Sequence, residues 1–196
     1  MSTLSLEEKK QQILEYEESL AHTLARQVID KPVPPIWMIL IPIFFVFHAA
    51  KIKEYSKGLK DFAENYLVSR RRALDTAYES VLHNADPAIA TLMDQADAIT
   101  EQARPLYRQW ITLQVDHYRN VLVAPGTSIQ DRIRAHYRNK SNCLLFNNQL
   151  NTAENAFNRA LLPEIDGDQQ DILYIVDKLQ QCSVELRRKE IEKIYS

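Results

Sequence analysis

"PPIWMILIPIFFVFHAAK", residues 34–51, has no charged side chain before its final lysine. Apolar side chains would run right round any helix it forms, whereas a stave of an ordinary helical bundle keeps a polar face. The helix-competent part, Ile36 to Ala50, is about 22 Å long at 1.5 Å per residue. A bilayer core is about 30 Å thick. Extending the helix to Tyr55 closes the gap, because Lys51 and Lys53 can snorkel their ammonium groups to the headgroups. Trp37 and Tyr55 then stand where interfacial aromatics sit. Pro42 cuts the segment near its middle. A membrane helix tolerates such a proline, and a re-entrant hairpin can use one at its tip. His48 is the one polar side chain. Burial as the core helix of a bundle is the third reading.

The sequence favours a single span. The membrane-anchor residues are then Ile36, Trp37, Met38, Ile39, Leu40, Ile41, Pro42, Ile43, Phe44, Phe45, Val46 and Phe47, with headgroup contacts at Lys51, Lys53, Lys57 and Lys60. Arg26 and Lys31 precede the segment, while those four lysines and Arg70 follow it. The basic excess puts the C-terminal part in the cytoplasm and the N-terminal helix outside, whereas a hairpin keeps both ends on the cytoplasmic side.

Working outward, the chain divides into an N-terminal amphipathic helix (1–31), the apolar segment (32–50) and an antiparallel helical bundle (51–196). Only three glycines occur in 196 residues, and strand-type alternation is hard to find. The fold class is all-α, an elongated antiparallel bundle of long heptad helices. Ser5-Leu6-Glu7-Glu8 is a capping-box pattern. From it Ile13, Tyr16, Leu20, Leu24 and Val28 mark one apolar face, and Pro32, Pro34 and Pro35 stop the helix. A second helix runs from Lys51 to about Asn84. Asp86-Pro87 restarts the chain, and Ile89, Leu92, Ala96, Ile99, Ala103, Leu106, Trp110, Leu113 and His117 follow at heptad spacing. Pro105 lies off that seam and is expected to kink a continuous helix.

Ala124-Pro125-Gly126 makes a turn, and Thr127 to Gln130 offers a capping box. A fourth helix carries Ile129, Ile133, His136, Cys143, Phe146, Leu150, Ala153, Phe157 and Ala160, with a weak point near Asn139. A last helix from about Asp168 carries Ile172, Val176, Leu179, Cys182 and Leu186. Folding the third helix on the fourth about Gly126 sets His117 against His136, Trp110 against Cys143, Ala103 against Leu150 and Ala96 against Phe157.

Little in the chain points to chemistry. No Glu-x-x-His motif, glycine-rich phosphate loop, nucleophile elbow or paired-cysteine site occurs, so an enzyme and a cofactor are not expected. The net charge of −2 gives no field for nucleic acid. Cys143 and Cys182 have no ligand spacing and are expected as reduced, half-buried thiols. The acidic loop Glu164, Asp166, Asp168, Asp171 lacks calcium-ligand spacing. His117 and His136, at one predicted level, are the weak candidates for a metal or a pH switch. Arg70-Arg71-Arg72 is expected on a solvated face. The functional expectation is a membrane-anchored scaffold or adaptor that presents its bundle to protein partners. The alternative is a soluble helical subunit, a homo-oligomer that buries the apolar segment in its own assembly.

Overall fold

The computed structural model describes residues 4–30, 44–96, 99–164 and 169–196, and among these the chain is all-helical. Helix α1, Leu6–Val28, starts on the expected capping box. Ser5 Oγ accepts from the Glu8 amide at 3.1 Å, and the Glu8 carboxylate accepts from the Ser5 amide at 2.7 Å. Helix α2 runs unbroken over Phe44–Leu82. It ends where Asn84 takes a positive φ of 49°, a conformation asparagine tolerates better than most residues. Helices α3 (Ile89–Asp94), α4 (Arg104–Val123), α5 (Ile129–Tyr137), α6 (Lys140–Ala160) and α7 (Gln169–Ile194) complete the set.

Five of these helices close a ring. Helix α1 lies against α2 and α7, α2 against α4, α4 against α6, and α6 against α7. The cross-links fix their directions. Arg70 reaches Glu17 and Lys10 reaches Asp75, so α2 opposes α1. Lys9 donates to the Leu122 and Ala124 carbonyls, so α4 ends beside the start of α1 and runs parallel to α2. Lys178 pairs with Asp30 and Arg134 donates to the Ile194 carbonyl, so α7 also opposes α1. The bundle therefore has two ends. One holds Asp30 and the starts of α2 and α7; the other holds Ser5, Gly126 and the end of α7. Helix α5 packs across the Gly126 end, touching α1, α4, α6 and α7.

One contiguous core joins Ile13, Leu74, Leu92, Tyr107, Trp110, Ile111, Val115, Leu122, Ile133, Phe157, Ile191 and Ile194. Leu24, Val28 and Leu186 carry a smaller cluster towards the Asp30 end. Each ring helix has neighbours on two sides and buries a wider stripe than a two-stranded seam. On α4 that stripe is Tyr107, Trp110, Ile111, Gln114, Val115, Tyr118, Val121 and Leu122. Leu106 and Leu113, expected at its centre, lie only partly buried on the flank.

Four expectations are corrected. The third helix is two helices: turns follow Asp94, and Pro105 opens α4, where its fixed φ and missing N–H cost nothing. The fourth helix also divides, because Arg138 at φ 67° ends α5 and Asn139 caps α6. With α5 folded across the bundle end, the hairpin register slides. His117 stacks on Phe146, with ring centroids 5.0 Å apart, and Trp110 stacks on Phe157 at 5.5 Å. The antiparallel direction stands, but each partner lies ten or more residues further along than expected. The second capping box belongs to Ser128 and Asp131, one residue beyond Thr127.

The fold also bears on the two helices that flank the apolar run. Helix α1 packs along α2, and Ile29 Cδ1 comes within 3.9 Å of the Cβ position of Gly58. A single span over 36–50 is at odds with that packing, since it would put these two helices on opposite faces of a membrane. Ile36 to Ile43 lie outside the described residues, as do the side chains of Phe44, Phe45, Val46, Phe47 and Lys51. Among the described residues no helix is long and apolar enough to cross a membrane. The α2 backbone is helical back to Phe44 and extends about 20 Å beyond Gly58, at 1.5 Å per residue.

Two glycines give opposite expectations. Gly126 has φ 143°, and a Cβ there would lie 2.7 Å from Asp131 Cβ. Gly126→Ala should destabilise by about 1–3 kcal/mol. Gly58 is inside a helix, where a Cβ meets only ordinary contact, so Gly58→Ala should stabilise by about 0.5–1 kcal/mol. Urea midpoints at constant m-value check both signs.

Candidate functional site

Closing five helices into a ring leaves a centre too wide for aliphatic side chains alone. Here it is filled by charge. Arg70 on α2 is 4% exposed and Glu154 on α6 is 7% exposed. The Arg70 Nη2–Glu154 Oε1 distance is 2.6 Å, and the other carboxylate oxygen lies 2.6 Å from Arg187 Nη2 on α7. Arg70 Nε is 3.5 Å from Glu17 on α1, and Glu17 in turn accepts from the Tyr118 hydroxyl of α4. Arg187 also donates to Asn151 Oδ1 and, at 3.4 Å, to the Tyr66 hydroxyl. The Arg70 guanidinium stacks 3.5 Å from the Tyr66 ring centroid. Acid and base alternate through four helices, so the buried cluster is neutral.

Burial alone would raise the Glu154 carboxyl, but Arg187 and Arg70 outweigh it and hold it below the usual carboxylate range. Arg70 is also stripped of water, yet Tyr66, Glu154 and Glu17 keep it charged. Arg70 was expected on a solvated face and is instead in the core. Arg71 and Arg72 do lie outside, Arg71 paired with Glu64 and Glu18, Arg72 donating to the Gln95 carbonyl.

Beside the cluster is an internal cavity of about 70 Å³, bordered by Tyr16, Arg70, Gln114, His117, Cys143 and Arg187 among others. Gln114 is 3% exposed, and neither atom of its amide has a protein partner. His117 also borders it. Its Nδ1 is 2.7 Å from the Tyr137 hydroxyl, and the rings of His117, Tyr137 and Phe146 form a triangle with centroids 5.0, 5.3 and 5.8 Å apart. Burial, then the neighbouring His136 and Arg187, push the imidazole down to about 3. It is neutral at physiological pH and shares one hydrogen bond with the Tyr137 hydroxyl. His136 meets the edge of the same Tyr137 ring, 4.4 Å between centroids. The two candidate histidines thus share a tyrosine, not the direct opposition their spacing suggested. Among the described residues no group of three or more His, Cys, Asp or Glu side chains is placed to hold a metal ion. Cys143 is buried, its thiol pushed up to about 11 by that burial; Cys182 is half-buried, and both are free.

The Asp30 end has a different chemistry. Lys53, Lys57 and Lys60 are exposed on the α2 turns nearest the apolar run. Across from them, the start of α7 exposes Leu173, Tyr174 and Ile175. The acidic loop between α6 and α7 lies mostly outside the described residues.

No family model, curated protein or solved structure matches this chain.

Glu154→Gln removes the one acid between two buried arginines and should cost about 3–5 kcal/mol. Glu64→Gln, at an exposed pair, should cost under about 1 kcal/mol. Chemical denaturation at pH 7 separates the two.

The lowered His117 pKa makes a second prediction. Below the unfolded value near 6.5 the unfolded chain binds a proton that the folded one refuses, so stability falls from about pH 6.5 towards pH 4. His117→Phe keeps the ring stack and should flatten that slope, compared by denaturation midpoints at pH 7 and 5.

Proposed function

We propose that the chain is a membrane-anchored helical scaffold. Its apolar run enters and leaves the bilayer from one face, as a hairpin or interfacial anchor with Pro42 near the turn. The bundle then stands on the cytoplasmic side, where it meets protein partners. The observation that carries this reading is the packing of α1 along α2. It holds both ends of an uncharged nineteen-residue stretch, Pro32 to Ala50, at one end of the bundle. Backbone groups at membrane depth must be satisfied internally. The helical arm of α2 back to Phe44 meets that demand over the last third of the stretch.

Further support comes from the distribution of charge. Lys53, Lys57 and Lys60 are exposed at that end, within reach of headgroup phosphates, and polybasic segments near a membrane contribute about 1 kcal/mol per residue. The charges of the core, by contrast, are engaged with one another, as suits a rigid presenting body. Contacts with partners then fall to the outer faces of the helices, where a second copy of the chain is one candidate.

The protein should remain in the membrane pellet through high salt and alkaline carbonate and leave it only in detergent. Protease added to intact cells should spare tags before Ser5 and after Ser196 alike. Release by salt alone removes the anchor and leaves the soluble oligomeric subunit. Cleavage of the N-terminal tag alone removes the one-sided topology.

A further inference from the structure

The start of α7 is the largest run of exposed apolar side chains among the described residues: Leu173 at 40%, Tyr174 at 62% and Ile175 at 52%. Three consecutive helix positions point in three directions, so together they form a broad apolar face one turn in from the polar Gln169, Gln170 and Asp171. Its place along the bundle axis can be read from two contacts. Lys178 pairs with Asp30 at 2.8 Å, so the α7 tip begins level with the end of α1. Residues 173–175 then lie about 5–8 Å beyond that level, at 1.5 Å per residue. Ile29 is level with Gly58 on α2. The same displacement along α2 from there arrives at about Lys53 to Tyr55. Those are the residues at which the apolar arm of α2 gives way to lysine.

From this coincidence of height we infer that Leu173, Tyr174 and Ile175 form a second membrane contact, seated at the boundary between headgroups and acyl chains. The inference rests on the anchor reading, since α2 supplies the depth scale. The occupant is lipid for two reasons. The tip stands at the end from which the apolar run leaves the bundle. Its side chains are also the interfacial kind, two aliphatics and a tyrosine whose hydroxyl can stay wet. Lys178 lies one turn below, 5.9 Å from the Tyr174 ring, on the side towards the bundle. With α2 and α7 both touching the surface, the bundle has two points of support, and its long axis is held upright.

Fluorescence with bromine-labelled phosphatidylcholine vesicles tests this. Trp37, in the apolar run, reports the anchor. Trp110 is buried against Phe157 and serves as the internal control. A Trp37→Phe, Tyr174→Trp protein carries its reporter on the α7 tip, at a position exposed enough for the exchange to leave the core alone. The expected result is quenching of both reporters, the tip most strongly by bromines near the headgroups. Quenching of Trp37 without the tip reporter overturns this inference and spares the anchor. Quenching of the tip alone supports the contact and overturns the anchor. Neither being quenched overturns both. Replacing Leu173 and Ile175 with serine should also weaken vesicle partition roughly tenfold, and unchanged partition would overturn the contact.

Discussion

One carboxylate between two guanidinium groups governs this bundle. Glu154 holds Arg70 and Arg187 at 2.6 Å each, with about nine-tenths or more of each side chain shielded from water. A lone ion there would cost several kcal/mol, and only a partner in good geometry offsets it. The three charges come from α2, α6 and α7, and Glu17 brings in α1. No one of these helices can slide or turn by a residue without leaving a buried charge unmet. Aliphatic packing tolerates such slippage far better. The ion cluster therefore supplies register, which a ring of five smooth helices would otherwise lack.

The helical class, the start of α1 and the apolar face of α6 were all legible from residue patterns. Ser5 to Glu8 forms the box its letters suggest. Cys143, Leu150, Ala153 and Phe157 are buried at the expected spacing. The register was not legible, because it depends on a single backbone angle. Arg138 at φ 67° turns α5 away from the axis of α6; the weak point near Asn139 marked the place, but an arginine does not announce a positive φ, so the change of axis stayed hidden. The polar core was missed for another reason. Arg70 stands in a run of three arginines, and runs of charge usually face water. A signal did exist: Glu17 follows Ile13 by four residues, Glu154 adjoins Ala153 three residues before Phe157, and Arg187 adjoins Leu186. Two acids and a base set into apolar stripes call for a missing base, and Arg70 fits the count.

The apolar run illustrates how a distant contact bears on a local question. Composition and length left a span, a hairpin and a core helix open. None of the residues between Pro32 and Ala50 distinguishes the first two. The seam between α1 and α2 weighs against the first: Ile13, Leu74 and Ala77 share one core and Ala21 meets Ala63 and Leu67 in another. Small residues at that seam bring the two backbones close. The two helices that flank the run are therefore bound to one another before lipid enters the account.

The ring also imposes an order on biosynthesis. Ile191 and Ile194 complete the cluster that covers Ile13, and Arg187 completes the charge set. These residues leave the ribosome about 140 residues after the apolar run. At roughly 5–20 residues per second, that is an interval on the order of ten seconds or more. During it α1 and α2 can pair, but the far side of α1 has no α7 to cover it. The apolar run is therefore complete while the bundle is still an open half-ring, so whatever it packs against must be at hand before the finished surface exists.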